Sequence, residues 1–242
     1  MRCSIIILVV ALLAFSRCKK PGCFETAGRM VTTERAASPF HQIDLNDKIN
    51  LILTQDTTEK IKVEAGEHLQ PNVSTTIKDG ILTIDNNTHC NWLRNPSENI
   101  NVYVSVKSLE KVLYNGSGNI TSTNTLKGDN LGFYSRKGAG NIDVLMDVRQ
   151  AFAYIYSENA DFRFSGKVDV CWSYTNARGS IDFSNLQVKK YIIEYGGVRD
   201  TYIQVSEDID AIIYHTGNLY YKGNPAKIKT VYHHTGRLIH QP

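Results

Sequence analysis

Seven copies of one short pattern, a turn of small residues followed by an apolar anchor, occupy residues 116–238. Successive anchors are 17 to 22 residues apart, and they are Ile120, Ile142, Phe162, Ile181, Tyr202, Leu219 and Leu238. A repeat of about twenty residues without helical periodicity is typical of β-solenoids, in which each turn of the coil stacks on the next. The sequence therefore predicts an all-β fold, a right-handed parallel β-helix of about six to seven rungs, where a rung is one turn of the coil.

The position two residues before each anchor is mostly glycine, and reads Gly118, Gly140, Ala160, Gly179, Asp200, Gly217 and Gly236. Glycine in such a column indicates either a positive φ or a close approach between the backbones of neighbouring rungs. The next column holds short polar side chains that can bond the local backbone, and reads Asn119, Asn141, Asp161, Ser180, Thr201, Asn218 and Arg237. Both columns predict tight, similar turns in every rung.

One residue after the anchor, the column places Arg163 between Asp143 and Asp182. Neighbouring rungs of a parallel coil lie about 4.8 Å apart, so the three side chains are expected to form a charge ladder on one face. Two carboxylates in reach of one another are also what a polysaccharide lyase or hydrolase needs, because acid and base groups there stand about 5–10 Å apart. The ion-pair interpretation is favoured, and the enzyme stays the alternative hypothesis.

A second strand in each rung carries a tyrosine column: Tyr134, Tyr156, Tyr174, Tyr195, Tyr214 and Tyr232. Stacked aromatic rings stabilise adjacent strands. If the rings face outward, the same column would form a ligand-contact ladder along which a sugar chain could lie. The sequence leaves the direction of these side chains open.

The chain begins with an export signal, predicted to span residues 1–17 and to contain an apolar run from Ile5 to Phe15. Cys18 follows this run, an arrangement that resembles the lipobox of bacterial lipoproteins, although Arg17 stands where a small residue is usual. The resemblance implies a lipid anchor on Cys18 and attachment to the bacterial outer membrane, with the periplasmic and outer faces both open. An ordinary cleaved signal is the alternative.

Two further cysteines, Cys23 and Cys90, lie in polar surroundings and are predicted to form a disulfide in the oxidising envelope. A zinc site is the competing interpretation, but no further ligand stands at zinc-finger spacing from either cysteine. Cys171 lies within a strand pattern and is predicted to be a small buried hydrophobic residue.

Residues 18–38 are polar and aperiodic, and are predicted to be a tether with a capping segment. Residues 39–242 are predicted to form one solenoid domain, whose part from 40 to 114 is a mixed or antiparallel β cap. Within that cap, Asp79-Gly80 predicts a hairpin turn. Removal of residues 1–17 takes away Arg2 and Arg17, so the formal net charge falls from +3 to +1. No basic patch remains to suggest a nucleic-acid partner.

A set of short segments in this order resembles the head GIN domain family: Pro39–Ile43, Leu51–Gln55, Val63–Glu67, Asp79–Ile84, Asn91–Arg94 and Gly116–Ile120. The resemblance covers about residues 30–240. It implies a β-helical protein of the bacterial envelope with an adhesin-like role, and it implies no catalytic residues and no cofactor.

The histidines concentrate near the end, where His215 and His234 are predicted to share a column. A stacked polar pair is favoured over a metal site, because no carboxylate or cysteine accompanies them. The predicted function is that of a non-enzymatic envelope lipoprotein that binds a glycan or another envelope protein. The alternatives are a carbohydrate-active enzyme and a structural assembly protein, and unpaired strand edges at the coil ends suggest a homo-oligomer.

Overall fold

The computed structural model describes residues 26–88, 99–156, 159–176 and 178–242, and within them the chain is almost entirely β-strand. Cys18, Cys23 and Cys90 lie outside these residues, so the lipid anchor and the disulfide stay predictions. A single 3-10 turn spans Gln70–Asn72. The strands are β1 (Met30–Arg35), β2 (Gln42–Leu45), β3 (Asn50–Gln55), β4 (Lys60–Gly66), β5 (Val73–Lys78), β6 (Ile81–Asn86), β7 (Asn101–Val106), β8 (Lys111–Tyr114), β9 (Ile120–Ser122), β10 (Leu126–Ser135), β11 (Asn141–Ile155), β12 (Asp161–Thr175), β13 (Ile181–Tyr195), β14 (Thr201–Ile213), β15 (Leu219–Lys222), β16 (Lys227–Tyr232) and β17 (Leu238–His240).

From β8 onward the chain coils, and each rung pairs in parallel with the rungs before and after it. The first residues of β11 pair with β9 and its remaining residues pair with β10, so one long strand serves two sides of the coil. We call the segment after each turn the anchor side, and the segment that ends each long strand the tyrosine side. The coil has about six turns, as the repeat predicts.

The N-terminal part is a mixed β cap, as predicted, but its strands are not stacked in chain order. β2 lies between β6 and β8, and β3 lies between β7 and β9, all in parallel. β1, β4 and β5 add antiparallel pairings around this end. The predicted hairpin turn joins β5 to β6, with Asp79 and Gly80 both at positive φ.

The anchors form a buried column inside the coil. Ile142 pairs with Ile120 on one side and Phe162 on the other, and Phe162 pairs in turn with Ile181. All four are at most 1% exposed, so each one packs against both neighbouring rungs. Stacking thus removes from water an apolar face that no single rung could cover.

The fifth anchor is not Tyr202 as the repeat predicts. Thr201 occupies the buried column and pairs with Leu219, whereas Tyr202 points outward between Asp182 and Tyr220. The reason is the alternation of a strand, because the apolar side chains two and four residues further on, Ile203 and Val205, must also point inward. The turn columns of this rung therefore shift by one residue.

The glycine column exists because successive turns approach closely, not because the backbone there is left-handed. A Cβ at Gly140 would collide with the carbonyl oxygen of Gly118, and one at Gly236 with that of Gly217. None of the column's glycines is among the described residues with positive φ. In the shifted fifth rung the column position belongs to Arg199, whose carbonyl oxygen a Cβ at Gly217 would meet.

A buried tyrosine ties the first two of these turns together. The Tyr114 hydroxyl donates a hydrogen bond to the carbonyl of Gly118 and accepts one of 2.9 Å from the amide of Gly140. The side chain is fully buried in the coil. Burial raises the pKa of the Tyr114 hydroxyl to about 12, since the anion would lose its hydration. Nothing in the repeat pattern marks this residue.

We predict that Gly140→Ala destabilises the protein by about 1–3 kcal/mol, because the added methyl group forces two backbones apart. Gly128→Ala is the matched control, since a Cβ there meets no atom within 4 Å and the φ is not positive. It should be neutral or slightly stabilising, because alanine restricts the unfolded chain. Urea unfolding of both variants measures the difference, and equal midpoints would contradict the role given to the column.

We also predict that Tyr114→Phe makes stability less dependent on alkaline pH. The unfolded chain loses the tyrosine proton near pH 10 while the folded protein holds it, so this stabilisation is complete below pH 10 and lost as the pH rises towards 12. The remaining slope includes contributions from Tyr191, Tyr195 and Cys171, whose pKa values burial also raises. Urea titrations between pH 9 and pH 12, with the solvent-facing Tyr202→Phe as control, test this; an unchanged slope in Tyr114→Phe refutes it.

Candidate functional site

The tyrosine side carries a row of outward aromatic rings across three successive rungs. Tyr134 pairs with Tyr154 and Tyr154 with Tyr174 in the strand registers. Their ring centroids are 5.2 and 6.3 Å apart, with interplanar angles of 9° and 23°. The strand register thus brings identical side chains into contact, since parallel strands place equivalent positions side by side.

A second outward row runs beside the first. Phe152 stacks on Trp172 with 5.2 Å between centroids and 8° between planes. Tyr156, just past the end of β11, contacts both Tyr154 at 5.9 Å and Tyr174 at 5.6 Å. We call the six residues Tyr134, Phe152, Tyr154, Tyr156, Trp172 and Tyr174 the aromatic strip.

The predicted column of six tyrosines is therefore wrong as a single column. Tyr134 and Tyr174 belong to the first row, but their partner is Tyr154, and Tyr156 lies in a neighbouring column. Tyr214 lies further along that neighbouring column. Tyr195 and Tyr232 pair with inward residues; Tyr195 is fully buried, and Tyr232 is exposed only because it lies in the last turn.

The sequence could not separate these columns because rung lengths differ. Tyr154 and Tyr156 lie two residues apart and point to the same face, so either one fits the spacing. Tyr195 lies one residue off the outward register, in line with Thr175. A shift of one residue reverses the direction of a strand side chain. The strip's Phe152 and Trp172, which the repeat did not highlight, are placed by the same register.

The faces of the stacked rings are covered by other groups. Tyr154 has a ring on each side, and the Lys111 ammonium lies 5.1 Å from the centroid of the Tyr134 ring. The strip thus presents ring edges and hydroxyl groups to solvent more than ring faces. Partial burial raises the pKa values of Tyr134 and Tyr154, so these hydroxyls remain neutral hydrogen-bond donors at physiological pH.

The predicted charge ladder on the anchor side is confirmed. The Arg163 guanidinium lies 3.4 Å from a carboxylate oxygen of Asp143 and 3.8 Å from one of Asp182. All three side chains are substantially exposed, so the ladder adds little to stability. Both carboxylates face the same cation, and together with it they line a cleft of about 240 Å³.

His215 and His234 lie at equivalent positions of successive rungs, as predicted, because Ile213 pairs with Tyr232 before them and Leu219 with Leu238 after them. His233 stacks on Tyr214, with 4.9 Å between centroids and 7° between planes. His234 has its Nδ1 3.2 Å from the Thr235 hydroxyl, and His215 lies beside a notch next to Tyr214. Across the described part of the chain, no three His, Cys, Asp or Glu side chains are arranged to hold a metal ion.

Cys171 is fully buried, and the loss of hydration raises the pKa of its thiol to about 12. It is thus an unreactive core residue, as its strand position predicts. In the residues that the structure describes, there is no helix of the length and apolar character required to cross a membrane.

Solved structures with the same architecture are known. A putative adhesin from Bacteroides fragilis superimposes with a TM-score of 0.80 at 20% identity, over 88% of this chain and 97% of that one. A putative adhesin from Parabacteroides distasonis gives 0.69 at 17% identity, over 88% and 98%. A protein of the same species described as a putative lipid binding protein gives 0.67 at 16% identity, over 89% and 98%. At these identities the likeness shows the fold.

No protein of curated function matches the chain. The family model described as "Putative auto-transporter adhesin, head GIN domain" matches residues 39–225, which is most of the chain and confirms the resemblance seen in its sequence motifs. This chain therefore belongs to the head GIN domain family of adhesin-like proteins.

Proposed function

We propose that this protein is a non-enzymatic lipoprotein of the bacterial cell envelope that binds a partner, a glycan or another envelope protein, through the aromatic strip. The observation that carries the proposal is the strip itself: six aromatic side chains at neighbouring positions on the solvent side of three successive rungs. Membership of an adhesin-like family supports a binding role at the cell surface.

Aromatic side chains dominate binding energetics, because each offers a large contact area with few rotatable bonds. The strip adds a row of neutral tyrosine hydroxyls, which orient a polar partner. Because the rungs hold the rings in contact with one another, little side-chain entropy remains to be lost on binding. A rigid, flat surface of this kind suits a partner with an extended contact area, such as a glycan chain or another protein.

The charge ladder supports a non-enzymatic role. Hydrolysis or elimination on a sugar requires an acid and a base that both reach the same bond. Asp143 and Asp182 instead share the Arg163 guanidinium, and Asp161 in the same cleft pairs with Arg199 at 2.9 Å, so these carboxylates are held by arginines. If the protein degrades a polysaccharide and an Asp143→Asn, Asp182→Asn double variant does not, the protein is an enzyme and the non-enzymatic proposal is refuted.

A structural role in end-to-end assembly is the second candidate, and one feature favours it. Ile228 and Tyr232 occupy inward columns of the last turn, yet they are 46% and 42% exposed. Their counterparts one rung earlier, Ile209 and Ile213, are at most 2% exposed. Another copy of this chain seated on that end would remove these side chains from water.

We predict that Trp172→Ala weakens binding at least about tenfold, because it removes the largest ring of the strip. Binding of fluorescent protein to isolated envelope sheets and to a glycan array measures the effect. Tyr202→Ala is the matched control, since Tyr202 is also solvent-facing and stacked, but lies on the anchor side. Equal binding of the two variants would refute the strip, and a mass that rises with concentration in light scattering would then favour assembly.

The covalent predictions are tested by mass spectrometry of protein extracted from the envelope. We expect a mature chain that starts at Cys18 and carries acyl groups, because that cysteine directly follows the export signal. We expect a peptide pair joined through Cys23 and Cys90 in a non-reducing digest. An unmodified N-terminus would refute the anchor, and two free thiols would refute the disulfide. Cys171, buried in the coil, should remain a free thiol and serves as the internal control.

A further inference from the structure

A notch of about 350 Å³ opens at the C-terminal end of the aromatic strip. Gly196 follows Asn176 in the outward column just past the strands, where other rungs carry a side chain, and a Cβ there would lie 2.8 Å from Asn176 Oδ1. Tyr214 comes next in the same column, as the amide of Tyr214 bonds the carbonyl of Tyr195. The notch is thus bounded by the Asn176 side chain on one side and by Tyr214 on the other.

One tyrosine ring has a free face at this notch. Tyr214 stacks on His233 on its far side, so its near face looks towards Gly196. Tyr174 borders the notch, and Glu194 takes the next position after it in the register. In the part of the chain that the structure describes, no other ring stacks on the near face of Tyr214, so this face is available to a ligand.

The free face of Tyr214 suits one saturated six-membered ring. Tyr174 lies two rungs away in the neighbouring outward column, with Glu194 at the next position of its own column, so it borders the notch and does not face Tyr214. The C–H faces of a pyranose are flat apolar surfaces that stack on a tyrosine ring.

Polar groups surround the same space. The Glu194 carboxylate accepts hydrogen bonds, the Asn176 amide both donates and accepts, and the His215 imidazole offers a further ring nitrogen. This combination matches the hydroxyl groups around a pyranose, which are both donors and acceptors. The carboxylate also repels an anionic ligand, so uronic acids are disfavoured.

We propose that this notch is a binding subsite for one neutral pyranose unit of a glycan, stacked on Tyr214 and oriented by Glu194. The assignment rests on the proposed binding function and names its ligand class. The aromatic strip then supplies the surface along which the rest of the glycan lies. A quaternary ammonium ligand is the competing chemistry, since tyrosines and a carboxylate also recognise cations.

The test is titration of the protein with cellohexaose, maltohexaose and chitohexaose, with hexagalacturonate as the acidic counterpart and choline as the cationic one, followed by calorimetry and amide NMR shifts. We expect a neutral oligosaccharide to bind, with Tyr214→Ala weakening it about tenfold. Glu194→Gln should lower the ratio of the affinity for neutral oligosaccharides to the affinity for hexagalacturonate, because it removes the carboxylate that repels an anionic ligand. Tyr202→Ala should bind as the wild type does, because Tyr202 lies on the anchor side, away from the notch. It is a matched control, since Tyr202 is 38% exposed against 40% for Tyr214 and each ring stacks on one other ring.

The outcomes separate the subsite from the general function. Absence of binding to all three neutral oligosaccharides, with Trp172→Ala still lowering attachment to envelope sheets, overturns the subsite and leaves the strip as a binding surface. If no neutral oligosaccharide binds and Trp172→Ala does not lower attachment to envelope sheets, both the subsite and the proposed binding function are overturned. Tighter binding of choline than of any sugar, lost in Glu194→Gln, reassigns the notch to a cation. Because Glu194 and Tyr214 are exposed, the variants should keep the wild-type unfolding midpoint.

Discussion

The close approach of one backbone turn to the next is the constraint on which this structure depends. Parallel strands must lie about 4.8 Å apart to form their hydrogen bonds, and the turns between them must stack at the same spacing. At Gly140 and Gly236 there is room for a hydrogen atom and not for a methyl group. Once the turns stack, the anchors that follow them fall into one column. The core is thus a consequence of the turns as much as of its own apolar side chains.

The same spacing that builds the core also arranges the surface. A parallel coil repeats each outward position in every rung, so identical residues become neighbours. That geometry turns Tyr134, Tyr154 and Tyr174 into a stack, and it sets Arg163 between two aspartates. It also sets Gly196, a residue without a side chain, between Asn176 and Tyr214 in an outward column, where the notch lies. In a coil of this type, the absence of a side chain defines a site as clearly as its presence.

The sequence predicted the coil and the charge ladder because these depend on a repeat that is visible without knowing the register. It predicted the mixed cap from strand patterns and the Asp79-Gly80 turn. The sequence-based predictions were wrong where a shift of one residue decides on which face of a strand a side chain lies. Tyr202 matched the anchor pattern, but Ile203 and Val205 fixed the alternation and placed Thr201 inside. The notch beside Gly196 could not be predicted, because it depends on how four rungs of unequal length align. The Tyr114 bridge was missed because it joins a strand end to two turns that follow it in the chain.

The order of strands at the N-terminal end has a consequence for how the chain acquires its structure. Residues 42–55 are sandwiched between strands that come later in the sequence, β6 and β7 on one side and β8 and β9 on the other. A chain that emerges N-terminus first therefore cannot complete the pairing of this segment until residue 122 has followed. Contacts over such sequence separations close slowly, because the loop entropy is spent before any pairing compensates for it. The coil beyond residue 126 can add rung upon rung, each joining the one just made. The interleaved end therefore depends on contacts between distant parts of the chain, whereas the repeats depend on contacts between neighbouring rungs.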